Sequence, residues 1–513
     1  MRNACWAAGL LLGFVCAGQA QRPLKVRITV WTDRVERTMR GGIGASWHAI
    51  EDPKPGQRKI GGVLAGSAWG ANPPAGDEAA WRSLLRHADW LGMDWMRIEI
   101  EQRMYEPRRR EFDWDNPEMR ILYRILDWAD RRGVDVFLQQ MWSATDWNAY
   151  PELRGTLEGR LISAPLSLDD FAYGLGELVE HLTKQHRYRC VRWVAINNEP
   201  GYDWSWWQGP NREPLPITPG LVAVRKEFDR RGIAIPLSGP DWTDLPGLVP
   251  AKIDFDEHIG AYDLHSYFAH FDGERSGYPL SKAEERLRAW TAWAHARNKP
   301  FFLSELGSMV FGWRDRHPGP GSYEAGLKDA ALVVRAIRAG ADGLNRWSFV
   351  NRGDLDGQWQ LVDTWDMDAG KLRPAFTPHP NTYYLYGLLS RLTAKHSQVL
   401  ATEVEADWEG RPRRIVATAL RSPKGQLSLL VVNETAEEAS VAFQLSGLKK
   451  REKLHRYRIS EAHRDRAEVA VEPEVSFRVS GHNGAFNDTV LRSSVSVYST
   501  YKLGSSRPGV TTE

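Results

Sequence analysis

Two glutamates stand where apolar stretches of the chain end, which makes them candidates for acid–base and nucleophilic chemistry. Glu199 follows the run 191–197, with Asn198 between them, and Glu305 follows the run 301–304. A charge is costly to place beside apolar strand residues unless it has a partner. Two carboxyl groups that face one cavity can cleave a glycosidic bond, one as a protonated acid and the other as an ionised nucleophile. The alternative is that each glutamate marks the point where a strand reaches solvent.

The elements that would position these glutamates are eight short apolar runs, which alternate with amphipathic helical stretches between about residues 40 and 395. This alternation is typical of βα units and a parallel sheet. The predicted strands are 42–47, 95–100, 134–141, 191–197, 236–239, 262–266, 301–304 and 343–349. Eight units predict an α/β protein with a (β/α)8 TIM barrel at 40–395, whose chemistry lies at the C-terminal ends of its strands. Glu199 and Glu305 then follow strands four and seven.

Helix boundaries between the strands carry recognisable start and stop residues. Asn116-Pro117 and Gly133 predict one helix, and Thr218-Pro219 and Gly232 predict another, because Pro favours the first turn and Gly the residue after the last. Two further starts are predicted from capping-box spacing, which places a cap and an acidic residue three positions apart. They are Ser281 with Glu284 and, more weakly, Ser167 with Asp170.

After Thr393 the pattern changes to alternating β-type segments separated by Gly, Asn and Pro turns, which predicts a β-sandwich domain at 396–513. Its clearest strands are 414–421, 426–433, 440–445 and 494–501. Leu24 to Val30 shows the same alternation ahead of the barrel. We therefore predict that the N-terminal segment 21–39 supplies a strand to the sandwich.

The N-terminus has the order of a secretory signal peptide at residues 1–20: Arg2, an apolar stretch at 7–17, and small residues ending at Ala20. No apolar run approaches the roughly 20 residues of a membrane span. We expect a secreted or periplasmic protein. Two of the three cysteines lie in the signal, so Cys190 is left without an intrachain disulfide partner.

Charge and motif content exclude several classes of function. The chain of 513 residues has 67 Lys and Arg against 65 Asp and Glu, a formal net charge of +2, and its densest basic run, 108–110, is flanked by acids. Nucleic acid is therefore not an expected partner. No zinc-type His/Cys spacing, phosphate-binding glycine loop or acidic calcium loop occurs, so we expect no metal and no cofactor. Nothing in the pattern indicates an obligate protein partner.

The placement of Glu199 and Glu305 on strands four and seven makes the chain resemble the clan A glycoside hydrolases, which are retaining β-glycosidases on a (β/α)8 barrel. The resemblance covers roughly residues 40–395. The appended sandwich is similar to that of families thirty, thirty-nine and fifty-one, and differs from the bare barrel of many family five members. The tract 51–76 between strand one and its helix has no counterpart in the family pattern, and we expect it to shape a substrate cleft.

The resemblance implies roles for the residues at the strand ends. Glu199 matches the acid/base, which protonates the departing oxygen and then activates water, and Glu305 matches the nucleophile. Arg97 matches an arginine that keeps the nucleophile ionised. A structural ion pair with Glu99 or Glu101 is the alternative for that arginine.

Further matches concern sugar binding. Asn198 matches a residue that hydrogen-bonds the sugar 2-hydroxyl. His265 and Tyr267 match a His-x-Tyr motif whose tyrosine contacts the nucleophile and whose histidine lines the sugar subsite. Trp347 matches a platform below the sugar at the cleavage point. A histidine satisfied in the core and a tryptophan packed in the core are the alternatives.

Softer candidates on the same end of the barrel are Trp47 and His48 after strand one, Trp142 after strand three, and the aromatic cluster 202–207 after Glu199. They could be subsite walls, and the cluster could equally be the private core of a loop.

The resemblance implies a retaining hydrolase that cleaves a β-linked poly- or oligosaccharide by double displacement without a cofactor, and the predicted signal peptide adds that it is secreted. Two alternatives remain at this point, an exo-acting β-glycosidase on short glycosides and a non-catalytic carbohydrate-binding protein on a barrel scaffold.

Overall fold

A computed structural model describes most of the chain. The described residues are 24–49, 70–143, 145–202, 207–271, 277–309, 319–351, 358–366, 368–406, 414–481 and 483–503. The predicted signal peptide at 1–20, residues 51–69 of the tract 51–76, and residues 203–206 of the aromatic cluster lie outside this set.

Eight parallel strands form the first sheet and close into a barrel. In chain order, strands one to eight are Gly42–His48, Trp95–Glu101, Asp135–Trp142, Val191–Ala195, Ser238–Trp242, Ala261–Ser266, Phe301–Leu306 and Gly343–Arg346. Successive strands pair in parallel, and strand eight pairs with strand one. A parallel bridge between Val194 and Leu237 joins strands four and five and completes the ring. The predicted (β/α)8 barrel is confirmed.

Strand five begins two residues later than predicted and extends beyond the predicted end, to Trp242. The prediction followed the apolar pair Pro236-Leu237, which lies just ahead of the strand. The strand itself reads Ser-Gly-Pro-Asp-Trp, a sequence without apolar periodicity. Strands four and eight are shorter than predicted, because their last apolar residues belong to the turns that follow.

Helices surround the barrel and short elements fill its loops. The helices are Glu78–Leu91, Gln102–Tyr105, Pro117–Arg132, Leu157–Ile162, Leu168–Glu180, Thr218–Arg231, Leu280–His295, Tyr323–Ala339 and Tyr383–Arg391. A π-turn at His181–Gln185 extends one of them, and 3-10 turns lie at Asp256–His258, Gly319–Gly321 and Glu461–His463. Two small ribbons pair Ala269–His270 with Tyr278–Pro279 and Val362–Asp366 with Lys371–Pro378.

Most of the predicted helix boundaries are confirmed. The Asn116 side chain accepts from Met119 N, and Ser167 accepts from Asp170 N. Gly133 and Gly232 adopt the left-handed conformation that ends a helix. The capping box of Ser281 with Glu284 is wrong. That helix begins at Leu280, after Pro279, so Ser281 already lies inside its first turn.

The second sheet has nine strands and includes the N-terminal segment. Its strands are Leu24–Met39, Ser397–Ala406, Ile415–Arg421, Leu427–Asn433, Ala439–Ser446, Glu452–Ser460, Val475–Val479, Asn483–Val490 and Ser494–Ser499. Leu24–Met39 lies between Ser397–Ala406 and Ala439–Ser446, and Ile28 and Val30 point into the sheet's own core. The sheet curls so that its two outermost strands meet, with Phe477 and Phe486 ring centroids 4.5 Å apart.

The second sheet packs on the barrel through the helices Tyr323–Ala339 and Tyr383–Arg391. Buried polar contacts cross this interface. Arg335 Nη2 lies 3.1 Å from Glu434 Oε1, and the Tyr323 hydroxyl donates to Ser493 O at 2.7 Å. An interface that contains a buried ion pair resists sliding, because separating the pair would leave an uncompensated charge. The sheet therefore braces the helices behind strands seven and eight.

Candidate active site

Aromatic side chains inside the barrel form a floor below the candidate site. Trp95, Phe137 and Phe302 come from strands two, three and seven, and the Trp95 and Phe302 ring centroids lie 5.2 Å apart. Successive inward positions on a strand are two residues apart. The next inward side chains on strands two and three are therefore Arg97 and Gln139, which are polar and fully buried. The first layer of polar side chains therefore lies directly above an apolar layer.

Strand seven turns Glu305 into this polar layer through a local irregularity. Leu303 pairs with Leu264 of strand six, but the next pair is Glu305 with His265, so Ser304 is an extra residue. An extra residue of this kind redirects the side chain that follows it. Glu305 is only 4% exposed.

Three side chains contact the Glu305 carboxyl group. Arg97 Nη1 donates to Oε1, and the Tyr267 hydroxyl donates to Oε2. His265 Nδ1 lies 3.3 Å from Oε2. Burial raises the pKa of Glu305 to about 7, while the positive charges of Arg97 and His265 oppose the rise. Glu305 can therefore change its charge near neutral pH, as titratable groups at functional sites commonly do.

Glu199 lies just beyond strand four and reaches the same polar layer. Its backbone has φ +47°, a left-handed conformation that is uncommon for a residue with a side chain and occurs often at functional sites. Its Oε1 lies 2.7 Å from His265 Nδ1. One carboxyl oxygen of Glu199, one of Glu305 and a ring nitrogen of His265 all lie within 4.8 Å of one another. A bond held between the two carboxyl groups would be within reach of both.

Arg97 is the centre of the polar layer. It donates to Glu99 and Glu305, to Asn198 Oδ1 at 2.7 Å, and to Asp241 Oδ2 at 3.3 Å. Burial alone lowers the pKa of Arg97, but the three carboxylates raise it above its ordinary value. The arginine therefore stays charged, and its contacts include both a neighbouring glutamate and Glu305.

Aromatic side chains pack around Tyr267. A second apolar cluster contains Met141, Trp142, Leu161, Tyr267, Trp347 and Trp359. Trp347 is 7% exposed, and its ring lies 5.1 Å from that of His48 in an edge-to-face arrangement. The structure thus brings Trp142 and Trp347 together with Tyr267, next to Glu305.

Trp47 lies elsewhere, and the expectation that it lines the cleft is corrected by the structure. It is fully buried among Trp81, Trp128 and Phe349, and its Nε1 donates to Asn72 Oδ1 at 2.7 Å. Side chains alternate along strand one, so Trp47 points outward to the helices. The residues on either side of it point inward.

The described part of the aromatic cluster 202–207 divides between two environments. Trp207 belongs to the main core, with its ring 5.7 Å from that of Phe171, and donates to Pro216 O at 3.3 Å. The Tyr202 hydroxyl donates to Thr243 O at 3.5 Å in the turn after strand five. Trp207 therefore packs as a structural residue.

Sequence reasoning missed Asp241, at the end of strand five. It accepts from His265 Nε2 at 2.9 Å and contacts Arg97, and these two positive groups hold its pKa at about 2 against the opposing effect of burial. Beneath it, Asp263 Oδ1 accepts from Asp241 N at 3.1 Å. Burial and the nearby charge of Asp241 raise the pKa of Asp263 well above its ordinary value, which favours the neutral form of this carboxyl group. The sequence offered only a weak signal for Asp241, which lies two residues beyond the predicted end of strand five.

Glu199, His265 and Glu305 have the donor types of a metal site, but their chemistry here disfavours a cation. Both nitrogens of His265 face carboxyl oxygens, and the carboxylates around it raise the pKa of His265 well above its ordinary value although burial acts against them. A protonated imidazole has no lone pair for a metal. We assign none of the three as a metal ligand.

Comparison of the sequence with protein-family models and with curated proteins gave no match. Comparison of the fold with solved structures gave extensive similarity. A GH30 endoxylanase from Clostridium papyrosolvens C71 has a TM-score of 0.56 and 12% identity over 93% of this chain and 99% of its own. A GH39 enzyme from Xanthomonas axonopodis pv. citri has a TM-score of 0.58 and 13% identity over 95% and 99%. A conserved exported protein from Bacteroides fragilis has a TM-score of 0.60 and 12% identity over 92% and 99%. The chain therefore has the fold of the clan A glycoside hydrolases, a TIM barrel with an appended β-sheet domain.

Proposed function

We propose that the protein is a retaining β-glycoside hydrolase that cleaves a β-linked poly- or oligosaccharide by double displacement. The observation that carries the proposal is the pair of carboxyl groups from strands four and seven, with an oxygen of Glu199 and one of Glu305 within 4.8 Å. Retaining enzymes hold their two carboxyl groups about 5 to 5.5 Å apart, and inverting enzymes leave room for a water between them. Glu199 and Glu305 both contact His265 Nδ1, which supports the shorter separation.

In the first step Glu305, ionised, attacks the anomeric carbon. The bond from that carbon to the leaving oxygen breaks, and Glu199 gives its proton to that oxygen. Arg97 and Tyr267 contact opposite oxygens of Glu305. They fix the carboxylate in one orientation, and the hydrogen bonds favour its ionised form.

In the second step the ester between the sugar and Glu305 is hydrolysed. Glu199, now ionised, takes a proton from water as the water oxygen attacks the anomeric carbon, and the ester bond breaks. Glu305 returns as a carboxylate and Glu199 as an acid. Two inversions at one carbon restore the β configuration.

The candidate site has features that support a sugar as substrate. Trp347 and Trp142 offer apolar faces beside Tyr267, and such faces complement the C–H surface of a sugar ring. Arg97 holds Asn198 Oδ1 at 2.7 Å, so the amide group of Asn198 has a fixed direction in which to donate to a sugar hydroxyl. The fold neighbour that is an endoxylanase supports a polysaccharide as the substrate class.

We also propose export from the cytoplasm, because residues 1–20 have the order of a secretory signal. None of the helices in the part of the chain that the structure covers combines the length and apolar character needed to cross a membrane.

The test is a screen of purified protein against β-linked glycans, followed by NMR of the product anomer at early times. We expect release of reducing sugar, first as the β-anomer, and loss of that activity in Glu305→Gln. First appearance of the α-anomer would contradict retention. Binding of a glycan without hydrolysis by the unaltered chain would instead favour the non-catalytic alternative, and activity on short aryl glycosides alone would favour the exo-acting one.

A further inference from the structure

His265 is enclosed by carboxyl groups at both of its ring nitrogens. Nδ1 lies 2.7 Å from Glu199 Oε1 and 3.3 Å from Glu305 Oε2, and Nε2 lies 2.9 Å from Asp241 Oδ1. The side chain has no exposed surface. Ionised carboxylates only accept hydrogen bonds, so an imidazole placed among them satisfies the geometry best when both nitrogens donate.

Asp241 is itself held in place from behind. Its Oδ2 accepts from Arg97 Nη2 at 3.3 Å and from Gln139 Nε2 at 3.1 Å, and Ser304 Oγ lies 3.4 Å from its Oδ1. Its backbone has φ +58°, a left-handed conformation that Asp tolerates better than most residues. The carboxylate that faces His265 therefore has little freedom to turn away.

The charged and titratable groups that face this Asp241–His265 pair come from three other strands or the turns just after them, and from the strand of His265 itself. They are Arg97 from strand two, Glu199 from strand four, Asp263 and Tyr267 from strand six or just beyond it, and Glu305 from strand seven. Burial raises the pKa of Asp263 and that of Tyr267 well above their ordinary values, which favours their neutral forms, and the Tyr267 hydroxyl donates to Glu305. Asp241 is the anion that contacts His265 on the side away from the two glutamates.

We propose that Asp241 is a positioning residue that holds His265 as an imidazolium, with its Nδ1–H directed at both Glu199 and Glu305. The charge state of His265 is inferred from these contacts and can be tested without a substrate, whereas its catalytic consequence rests on the proposed function. In the resting site the cation stabilises the ionised Glu305. After Glu199 has given its proton to the leaving oxygen, the same cation stabilises the new carboxylate. His265 keeps both protons throughout, so the ring neither gains nor loses a proton in the cycle.

The charge state can be measured without a substrate. NMR of the full chain with isotope-labelled histidine reports the protonation of each imidazole, and His265→Gln identifies the signal by its loss. We expect His265 to be an imidazolium at pH 7 to 8. Asp241→Asn removes the charge with little change in shape and should move the His265 titration to lower pH. Asp263→Asn is the matched control, because it makes the same change at another buried aspartate, two residues before His265, whose Oδ1 accepts from Asp241 N.

Kinetics supply the second readout. Asp241→Asn should lower kcat/KM by about 100-fold, the order of loss that misplacing a reacting group produces. It should also move the acid limb of the pH profile to higher pH. Loss of the positive charge on His265, 3.3 Å from Glu305, raises the pKa of Glu305 more than loss of the more distant Asp241 charge lowers it. A purely structural defect would lower activity without moving the limb, and Asp263→Asn should leave the limb in place.

A neutral His265 at pH 7 in the unaltered protein would overturn the proposal, even if Asp241→Asn fails to fold. An imidazolium unchanged in folded Asp241→Asn would also overturn it. If no glycoside is cleaved but His265 is an imidazolium that depends on Asp241, the proposed function fails and the assignment of Asp241 stands. Glycosidase activity with a neutral His265 would support the proposed function and overturn the assignment of Asp241.

Discussion

Arg97 and Glu305 form a buried ion pair between strands two and seven, with strands one and eight lying between them in the sheet. The two residues therefore lie on strands that are not hydrogen-bonded neighbours. The pair therefore exists only when the barrel is closed and in register, so barrel formation and activation of the candidate nucleophile are linked. Burial alone would favour neutral Glu305, and this arginine is the nearest permanent charge that opposes it.

The pH profile of activity should depend on this ion pair. The pKa of Glu305 is raised to about 7, and attack needs the ionised form, so kcat/KM should fall as the pH drops through about 7. Arg97→Gln removes a charge that lowers this pKa, so the acid limb should move to higher pH. The measurement is kcat/KM against pH on an aryl glycoside.

Arg103→Gln is a matched control for that experiment. Arg103 is also an arginine paired with glutamates, but its partners are Glu101 and Glu118 rather than Glu305. Its replacement should leave the acid limb unchanged. An unmoved limb in Arg97→Gln, with the fold intact, would mean that a group other than Glu305 controls it.

Tyr267 offers a test of the second contact to the nucleophile. Tyr267→Phe deletes one hydroxyl that donates to Glu305 Oε2, and hydrogen bonds to charged groups are worth about 1.5 to 3 kcal/mol. We expect kcat/KM to fall by roughly 10- to 150-fold, the equivalent of that energy. Tyr278→Phe is the control, because its hydroxyl contacts Asp244 and Ser266 instead. Equal decreases of kcat/KM in the two variants would contradict a specific role of the Tyr267 hydroxyl at Glu305.

The barrel was predictable because eight apolar runs with helical stretches between them leave few other arrangements. Glu199, Glu305 and His265 could be placed at one end because each stands at the end of such a run. Asp241 was missed since strand five carries no apolar periodicity to mark its end. The sequence pattern also could not predict whether the Trp47 side chain points into the barrel or outward to the helices. Strand one is buried on both faces, so hydrophobicity does not distinguish inward from outward positions.

The N-terminal strand gives a prediction about the second domain. Ile28 is fully buried between Val404 and Phe443 in the register of the sheet. Ile28→Ala should cost about 2 to 5 kcal/mol and should increase hydrogen exchange first in strands after residue 395. Thr29→Ala, at the adjacent half-exposed position, is the control. Faster exchange in the barrel strands, with the second sheet unchanged, would contradict a role of this segment in the second domain.

Replacing each of the two glutamates should block a different step of the reaction. Glu305→Ala should abolish turnover on every substrate, because the variant lacks the carboxylate that forms the ester in the proposed mechanism. Glu199→Ala should still form the glycosyl-enzyme with an activated aryl glycoside, whose leaving group needs little protonation. The second step should then stall, because no base remains to activate water.

Azide distinguishes these roles because it attacks without needing a base. Added to Glu199→Ala, it should restore turnover and give a β-glycosyl azide, since it displaces Glu305 from an α-linked intermediate. With Glu305→Ala, azide should give no β-glycosyl azide. An α-glycosyl azide from Glu199→Ala, or a β-glycosyl azide from Glu305→Ala, would reverse the two assignments, because an α product means that azide has taken the place of a missing nucleophile. If neither variant responded to azide and both were equally inactive on activated substrates, double displacement through these two residues would be wrong.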